Sequence, residues 1–246
     1  MARTKTNLRS LDYPGRLIIL GQNRSSKQCV VIYSITGRSP SSQARKIECE
    51  EDTLWVKPTD KEVLKKGNID LLVYPAAFIL PQGIAVSNGK QTVDLMACLN
   101  HSENASEILA FSLQKWSYEP DKPTYTPRIS GALLSNGNSA LSILKRGRGG
   151  RTERNIFEFH LNPGQGRMIA TYTGKNKDPL PSFVGEPILL DLDFKSPQEA
   201  AEHVYENLRP YKPDKDFRVS VACIFADKDH LDRFSVSIIN RNDKKG

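Results

Sequence analysis

The sequence has no apolar run of the roughly 18–20 residues that a membrane-spanning helix requires. Its longest candidate, Ile69 to Leu80, is broken by Asp70 and Pro75. No secretory apolar core follows the basic opening Met1-Ala2-Arg3-Thr4-Lys5, so the expected compartment is the cytoplasm. Cysteine is scarce. Cys29, Cys49, Cys98 and Cys223 are scattered without a C-x-x-C pair, which argues against a disulfide framework or a zinc cluster and predicts reduced thiols. The four histidines (His101, His160, His203, His230) make no H-x-x-x-H or H-E-x-x-H arrangement, so no metal site is expected. There is no internal repeat and no Pro- or Ser-rich linker, and 246 residues fit one domain spanning 1–246.

Charge is the feature in excess. Net charge is +7, and it is uneven: residues 1–50 hold nine Lys/Arg against Asp12, Glu48 and Glu50. A second cluster lies at Lys145-Arg146-Gly147-Arg148-Gly149-Gly150-Arg151. Basic excess attracts phosphates, on a polymer or on a small molecule. The chain carries no zinc finger, no K/R-G-F-x-F strand and no basic heptad helix. The 145–151 stretch therefore reads as a solvated, flexible loop, with an RNA-binding patch as the alternative.

Hydrophobic patterning predicts strands at Leu17–Gly21 and Gln28–Ile35, joined as a hairpin, then at Thr53–Val56, Ile69–Tyr74, Ala76–Leu80 and Gly83–Ser87. Asn88-Gly89 is a hairpin-turn signal, since both residues tolerate positive φ. Helices are expected over Thr92–Leu99 and Asn104–Trp116, the latter with Asn104 and Glu107 in capping-box spacing. Strands resume at Arg128–Leu134, Ser139–Lys145, Ile156–Leu161 and Arg167–Tyr172, the last two flanking the turn Asn162-Pro163-Gly164. Ser196-Pro197-Gln198-Glu199 starts a helix running to about Leu208, and Phe217–Phe225 and Phe234–Ile239 are the final strands. Strands, helices, strands, helix, strands fit α+β with layered antiparallel sheets, not a doubly wound fold.

The candidate chemistry lies at strand ends. Tyr13-Pro14-Gly15-Arg16 precedes the first strand, and Gly37-Arg38-Ser39-Pro40-Ser41-Ser42-Gln43-Ala44-Arg45 follows the second. Arginine forks and hydroxyls are what a phosphate monoester needs, although composition alone also allows a polar surface loop. Taken singly, Glu119 reads as an exposed loop acid and Tyr74 as an amphipathic core residue.

Together these segments resemble one family. Tyr13-x-Gly15-Arg16, Arg38-Ser39 with Arg45, Val86-Ser87-Asn88-Gly89-x-x-Thr92, Tyr118-Glu119, and Tyr125-Thr126-Pro127-Arg128-Ile129 are similar, in order and spacing, to the archaeal-type IMP cyclohydrolases. The Asn162-Pro163-Gly164 turn followed by Ile169-Ala170-Thr171-Tyr172 adds to this, and the resemblance spans roughly residues 12–173. It implies the four-layer αββα sandwich of N-terminal-nucleophile hydrolases, without that nucleophile. Removal of Met1 would expose Ala2, so a terminal-nucleophile amidase is not expected.

The implied reaction is the dehydrative ring closure of 5-formamidoimidazole-4-carboxamide ribonucleotide (FAICAR) to IMP, with no metal or redox cofactor. Glu119, Tyr74 and Arg38 are then the expected catalytic residues. Tyr13, Arg16, Ser39, Arg45, Ser87, Asn88, Gly89 and Arg128 are the expected substrate contacts. The partner is a small-molecule purine ribonucleotide, not a nucleic acid or a membrane, and a homo-oligomer is allowed. The rival readings are a nucleotide-binding relative without cyclase activity and a basic nucleic-acid-binding protein. The extra length relative to the family falls in the N-terminal lead, the 145–154 loop and the segment after Gly174. Segment 174–195 reads as a surface excursion, with a lid or an oligomer contact as alternatives.

The polymer reading makes a separate prediction. Polymer binding would weaken steeply with salt and vanish when Arg146, Arg148 and Arg151 are neutralised. Titration of the protein with RNA and DNA at increasing salt checks it.

Overall fold

A computed structural model describes residues 8–59, 73–211 and 216–245. The first half of the chain supplies β1 (Arg16–Gln22), β2 (Cys29–Thr36), a short α1 (Pro40–Gln43), β3 (Arg45–Glu50), β4 (Thr53–Pro58), β5 (Tyr74–Leu80) and β6 (Gly83–Ser87). Two helices follow, α2 (Gln91–Cys98) and α3 (Ala105–Ser112). Then come β7 (Arg128–Leu134), β8 (Asn138–Arg146), β9 (Thr152–His160), β10 (Gln165–Ala170), β11 (Ile188–Asp191), α4 (Pro197–Asn207), β12 (Arg218–Ala226) and β13 (Phe234–Asn240).

Antiparallel pairing sorts the strands into two sheets, β11-β10-β1-β2-β12-β13 and β3-β4-β5-β6-β7-β8-β9. Side chains alternate across a strand, and both faces of β1 are covered. Ile18 and Leu20 point between the sheets, whereas Leu17 and Ile19 point outward to pack with Val204 and Leu208 around α4. That is why β1 and β2 read as continuous apolar runs instead of alternating ones. On the far side, Leu95 of α2 and Ile108 and Leu109 of α3 pack on Ala85, Ala132 and Ala140 of the seven-stranded sheet. The order of layers is helix, sheet, sheet, helices, the expected α+β sandwich.

The N-caps form, but not the reciprocal bond of a capping box, since Glu107 Oε2 accepts from the Ser102 hydroxyl and Glu199 Oε2 from Lys195 N–H. Ser196 Oγ accepts from Glu199 N–H at 3.2 Å, with Pro197 at the first helical position. Asn104 Oδ1 accepts from Ser106 N–H (2.8 Å) and Glu107 N–H (3.2 Å). Three of the four cysteines are buried, Cys49 is exposed, and none is paired.

Several local expectations are corrected. Pro75 does not divide two strands: it lies inside β5 beside a register shift opposite Trp55, while 69–72 lie outside the described residues. Asn88-Gly89 turns β6 into α2, and β6 instead pairs with β5 and β7. Asn162-Pro163-Gly164 does not close a hairpin but carries the chain from β9 in one sheet to β10 in the other. α3 ends at Ser112, and Trp116 leaves the helix to donate its indole N–H to Asp94 at 2.6 Å. β3 and β11 were not foreseen, so Arg45 begins a strand, not a loop, and segment 174–195 ends as an edge strand rather than a pure surface excursion.

Leu20 is fully buried between the sheets, and its Cδ1 lies 3.0 Å from where a Cβ on Gly131 would sit. Leu20→Ala is expected to cost about 3 kcal/mol. Urea unfolding checks this, and a loss below about 1 kcal/mol would mean the two sheets do not share a close-packed interior.

Candidate active site

Antiparallel register gathers the candidate residues at one end of the sandwich. Arg16 pairs with Ile35, Arg45 with Pro58, Val56 with Tyr74, and Ser87 with Ser130. The starts of β1, β3, β5 and β7 therefore meet the ends of β2, β4, β6 and β10. Arg16 continues the inward row of Ile18 and Leu20, and Arg45 that of Ile47. Tyr33 of β2 and Tyr74 of β5 reach across from opposite sheets and join hydroxyls at 2.9 Å. The apolar slab thus ends in two guanidiniums and two phenols.

Arg45 is 2% exposed and its Nε donates to Ser42 O at 2.9 Å, but its buried Nη2 has no partner. Neither Arg45 nor Arg16 has a carboxylate within ion-pair distance among the described residues. Burial, then the nearby Arg16 charge, lowers the Arg45 pKa to about 10, so it is still charged at neutral pH. Arg16 is packed deeply yet keeps an accessible edge, as a cleft floor would, and its Nε is also unpartnered. Burial opposes its charge, but Tyr74, Tyr33 and Glu119 outweigh that and raise its pKa. Buried unpaired donors on cations are costly unless an anion meets them.

Glu119 is the nearby acid. It is 4% exposed, and its Oε1 lies 3.5 Å from Arg128 Nη1. Burial raises its pKa above the usual carboxylate range, with Arg16 and Arg128 pulling the other way. Its loop is tied by Asp121, which accepts from Thr126 N–H at 2.6 Å and from the Thr126 hydroxyl. Glu119 N–H donates to Thr126 O at 2.9 Å, and Thr126 Oγ1 meets Tyr172 Oη at 2.9 Å.

The 145–151 cluster is exposed at Arg146, Arg148 and Arg151, as expected, and it is also tied to a neighbouring loop. It is the β8–β9 turn, with Gly149 and Gly150 at positive φ, and it braces the Glu119 loop. Tyr118 Oη donates to Gly150 O at 2.8 Å, and Arg146 stacks 4.2 Å from the Tyr125 ring centroid.

Arg128 approaches from another layer. Ile129 points between the sheets, so Arg128 starts on the helix side, 4.8 Å over the Trp116 ring. Its Nε donates to Ser117 O at 2.9 Å and its Nη1 to Gln91 Oε1 at 3.1 Å. Gln91 in turn donates to Asn88 Oδ1 at 3.0 Å, and Asn88 Nδ2 donates to Pro127 O at 2.9 Å. Ser87 Oγ donates to Gly89 O at 2.9 Å. A Cβ on Gly89 would come within 2.8 Å of Arg128 Nη1, so glycine is needed for that approach. Ser87, Asn88 and Gly89 thus form the frame that aims Arg128.

The remaining expected contacts lie toward the rim. Tyr13 is buried, stacked on Tyr172 at 5.7 Å and edge-on to Phe217 at 5.4 Å. Gly15 holds φ +77° beside the Tyr172 ring, which a Cβ would meet at 2.7 Å. Arg38 lies 5.3 Å over the Tyr13 ring, held by Asn176 (3.1 Å) and Asp178 (2.9 Å). Ser39 is exposed, and its Oγ caps α1 by accepting from Ser42 N–H at 3.1 Å.

Tyr33, Gln91 and Asp121 were missed in the sequence, and Thr126 was noted only as part of the Tyr125–Ile129 motif, with no role. Tyr33 is hidden in an apolar run, and Gln91 stood in the unassigned gap between Gly89 and Thr92. Asp121 gave no signal, because its bond to Thr126 exists only once the loop closes. A cleft of about 570 Å³ also opens elsewhere, on the outer face of the six-stranded sheet, lined by Leu8, Ile32, Phe194 and His203. Its walls bring no unpaired buried cation, so the charged end of the sandwich is the stronger candidate.

A buried acid lies among three arginines, two of them without an ion pair among the described residues, beside a phenol pair, an arrangement suited to a small anionic molecule. This chain belongs to the IMP cyclohydrolase-like protein family, whose profile matches residues 13–230. That span runs well past the motifs ending near Thr173. Among curated proteins, the IMP cyclohydrolase of Methanocella arvoryzae (strain DSM 22066 / NBRC 105507 / MRE50) is 27% identical over 161 residues, covering 65% of this chain and 74% of its own.

The unpaired charge yields a stability test. Arg45→Met keeps apolar bulk and removes an uncompensated buried cation, so the unliganded melting temperature should hold or rise. Stabilisation by inorganic phosphate or a nucleoside monophosphate should be lost. Thermal melts with and without those anions check both. A destabilised variant with undiminished anion stabilisation would remove Arg45 from the site.

Proposed function

We propose that this chain is an IMP cyclohydrolase, closing FAICAR to IMP with loss of water. The observation that carries the reading is Glu119: a buried carboxyl of raised pKa, flanked by Arg16 and Arg128. The name of the archaeal relative and the family membership support the same reaction.

The substrate holds both reacting groups, so much of catalysis is fixing one conformer with the carboxamide nitrogen against the formyl carbon. In the closure a C–N bond forms and the formyl oxygen leaves as water. That water carries one hydrogen from the carboxamide nitrogen and one from the formamido nitrogen. Glu119, as carboxylate, takes the proton that the weakly nucleophilic amide must lose. Tyr74 gives a proton to the formyl oxygen as it gains charge, and both groups are restored when water departs. Arg45, with its unpartnered Nη2, and Arg16 hold the phosphate or a polarised carbonyl. Arg128, aimed by Ser87, Asn88, Gly89 and Gln91, fixes the Glu119 carboxylate. Tyr13 and Arg38 form the rim, and Ser39 reaches the ligand only through the loop it caps.

Purified protein given FAICAR is expected to form IMP, with kcat reduced about 10²–10⁴-fold in Glu119→Gln. A base must be ionised, and burial raises this one. The rate should therefore climb with pH through a value above the usual carboxylate range, and that limb should be absent in the variant. No turnover above a buffer control, with tight IMP binding retained, would instead make the chain a nucleotide-binding relative.

A further inference from the structure

Tyr33 is a buried polar group that the proposed chemistry does not use. It sits in β2 among Val31, Ile32 and Ile35, where every neighbour in the strand's inward row is apolar. Its ring is fully enclosed, with β1 on one side and β12 on the other. A phenylalanine would fill the same space without burying a hydroxyl. The hydroxyl has one described hydrogen-bond partner, Tyr74 Oη, at 2.9 Å, and that bond crosses from one sheet to the other.

Tyr74 is buried as well, 1% exposed, so each hydroxyl has the other as its described partner and either can be the donor. What the bond fixes is place: leaving either buried hydroxyl unpaired is costly, so the pair ties Tyr74 Oη to the opposite sheet.

We infer that Tyr33 is a positioning residue for Tyr74: the hydroxyl bond between the sheets holds Tyr74 Oη in the place from which it serves the substrate. This rests on the cyclohydrolase reading for what Tyr74 then does. Tyr33 touches no reacting atom, so its effect passes through Tyr74 alone.

A double-mutant cycle tests this with Tyr33→Phe, Tyr74→Phe and the double variant, measuring kcat, KM and melting temperature with FAICAR. Tyr33→Phe is expected to lower kcat about tenfold or more while KM stays within about twofold. In the Tyr74→Phe background the same change should have no further effect on kcat. Losses that multiply, or a lower melting temperature with kcat intact, would overturn the proposal and leave Tyr33 a structural tie between the sheets. Should the native protein bind IMP without turning FAICAR over, the cyclohydrolase reading fails. The cycle is then read from IMP dissociation constants, where coupling keeps the positioning role and additivity overturns it. A native protein that neither turns over FAICAR nor binds IMP overturns both.

Discussion

Face-to-face packing of the two sheets supports everything else in the molecule. Ile18, Leu20, Val31 and Ile35 from one sheet meet Ile47, Leu54, Val86 and Leu133 from the other in one apolar slab. Lone polar groups are costly inside such packing. The slab's one charged end is therefore conspicuous: Arg16 and Arg45 extend the inward rows just where the sheets stop. Helices on both outer faces close the remaining apolar surface.

That end is arranged so that each ionisable group depends on another. Burial lowers the Arg45 pKa and raises that of Glu119, while Glu119 helps to keep Arg16 charged. Such opposed shifts in one enclosed place are characteristic of sites that handle protons and anions. The frame around it is rigid by construction. Asn88 ties the start of β7 to the β6–α2 turn, accepting from Ile129 N–H at 2.9 Å. Asp121 closes the loop that carries Glu119, and the β8–β9 turn braces it from outside. Buried like charges with no ion pair among the described residues cost stability, which is a common trade at sites shaped for a ligand.

Much of this was legible in the residues. Helix starts at Asn104 and Ser196 were readable because a cap is local chemistry, complete within four residues. Central strands were readable because burial on both faces leaves a continuous apolar run. The failures share a cause. Asn88-Gly89 and Asn162-Pro163-Gly164 have the composition of hairpin turns, but a turn does not encode which strand its chain will join. Pro75 looked like a break because the bulge that accommodates it depends on β4. Arg146 and Gly150 looked like solvent loop because Tyr118 and Tyr125 lie more than twenty residues away.

The sequence by itself determined the kinds of element, most of their positions, the α+β class and the list of chemically able residues. Ordered short motifs also carried the family resemblance. Only the tertiary structure decided which of those residues meet. It brought Arg16 and Arg45 together with no ion pair to either among the described residues, sent Arg38 to the rim against Asp178, and spent Ser87 and Asn88 on aiming Arg128. It also joined Tyr33 to Tyr74. The physical reason is that local propensity acts within a few residues. Counter-ion, burial and hydrogen-bond partner are set by strand register across two sheets, and each of those partners lies far away in the chain.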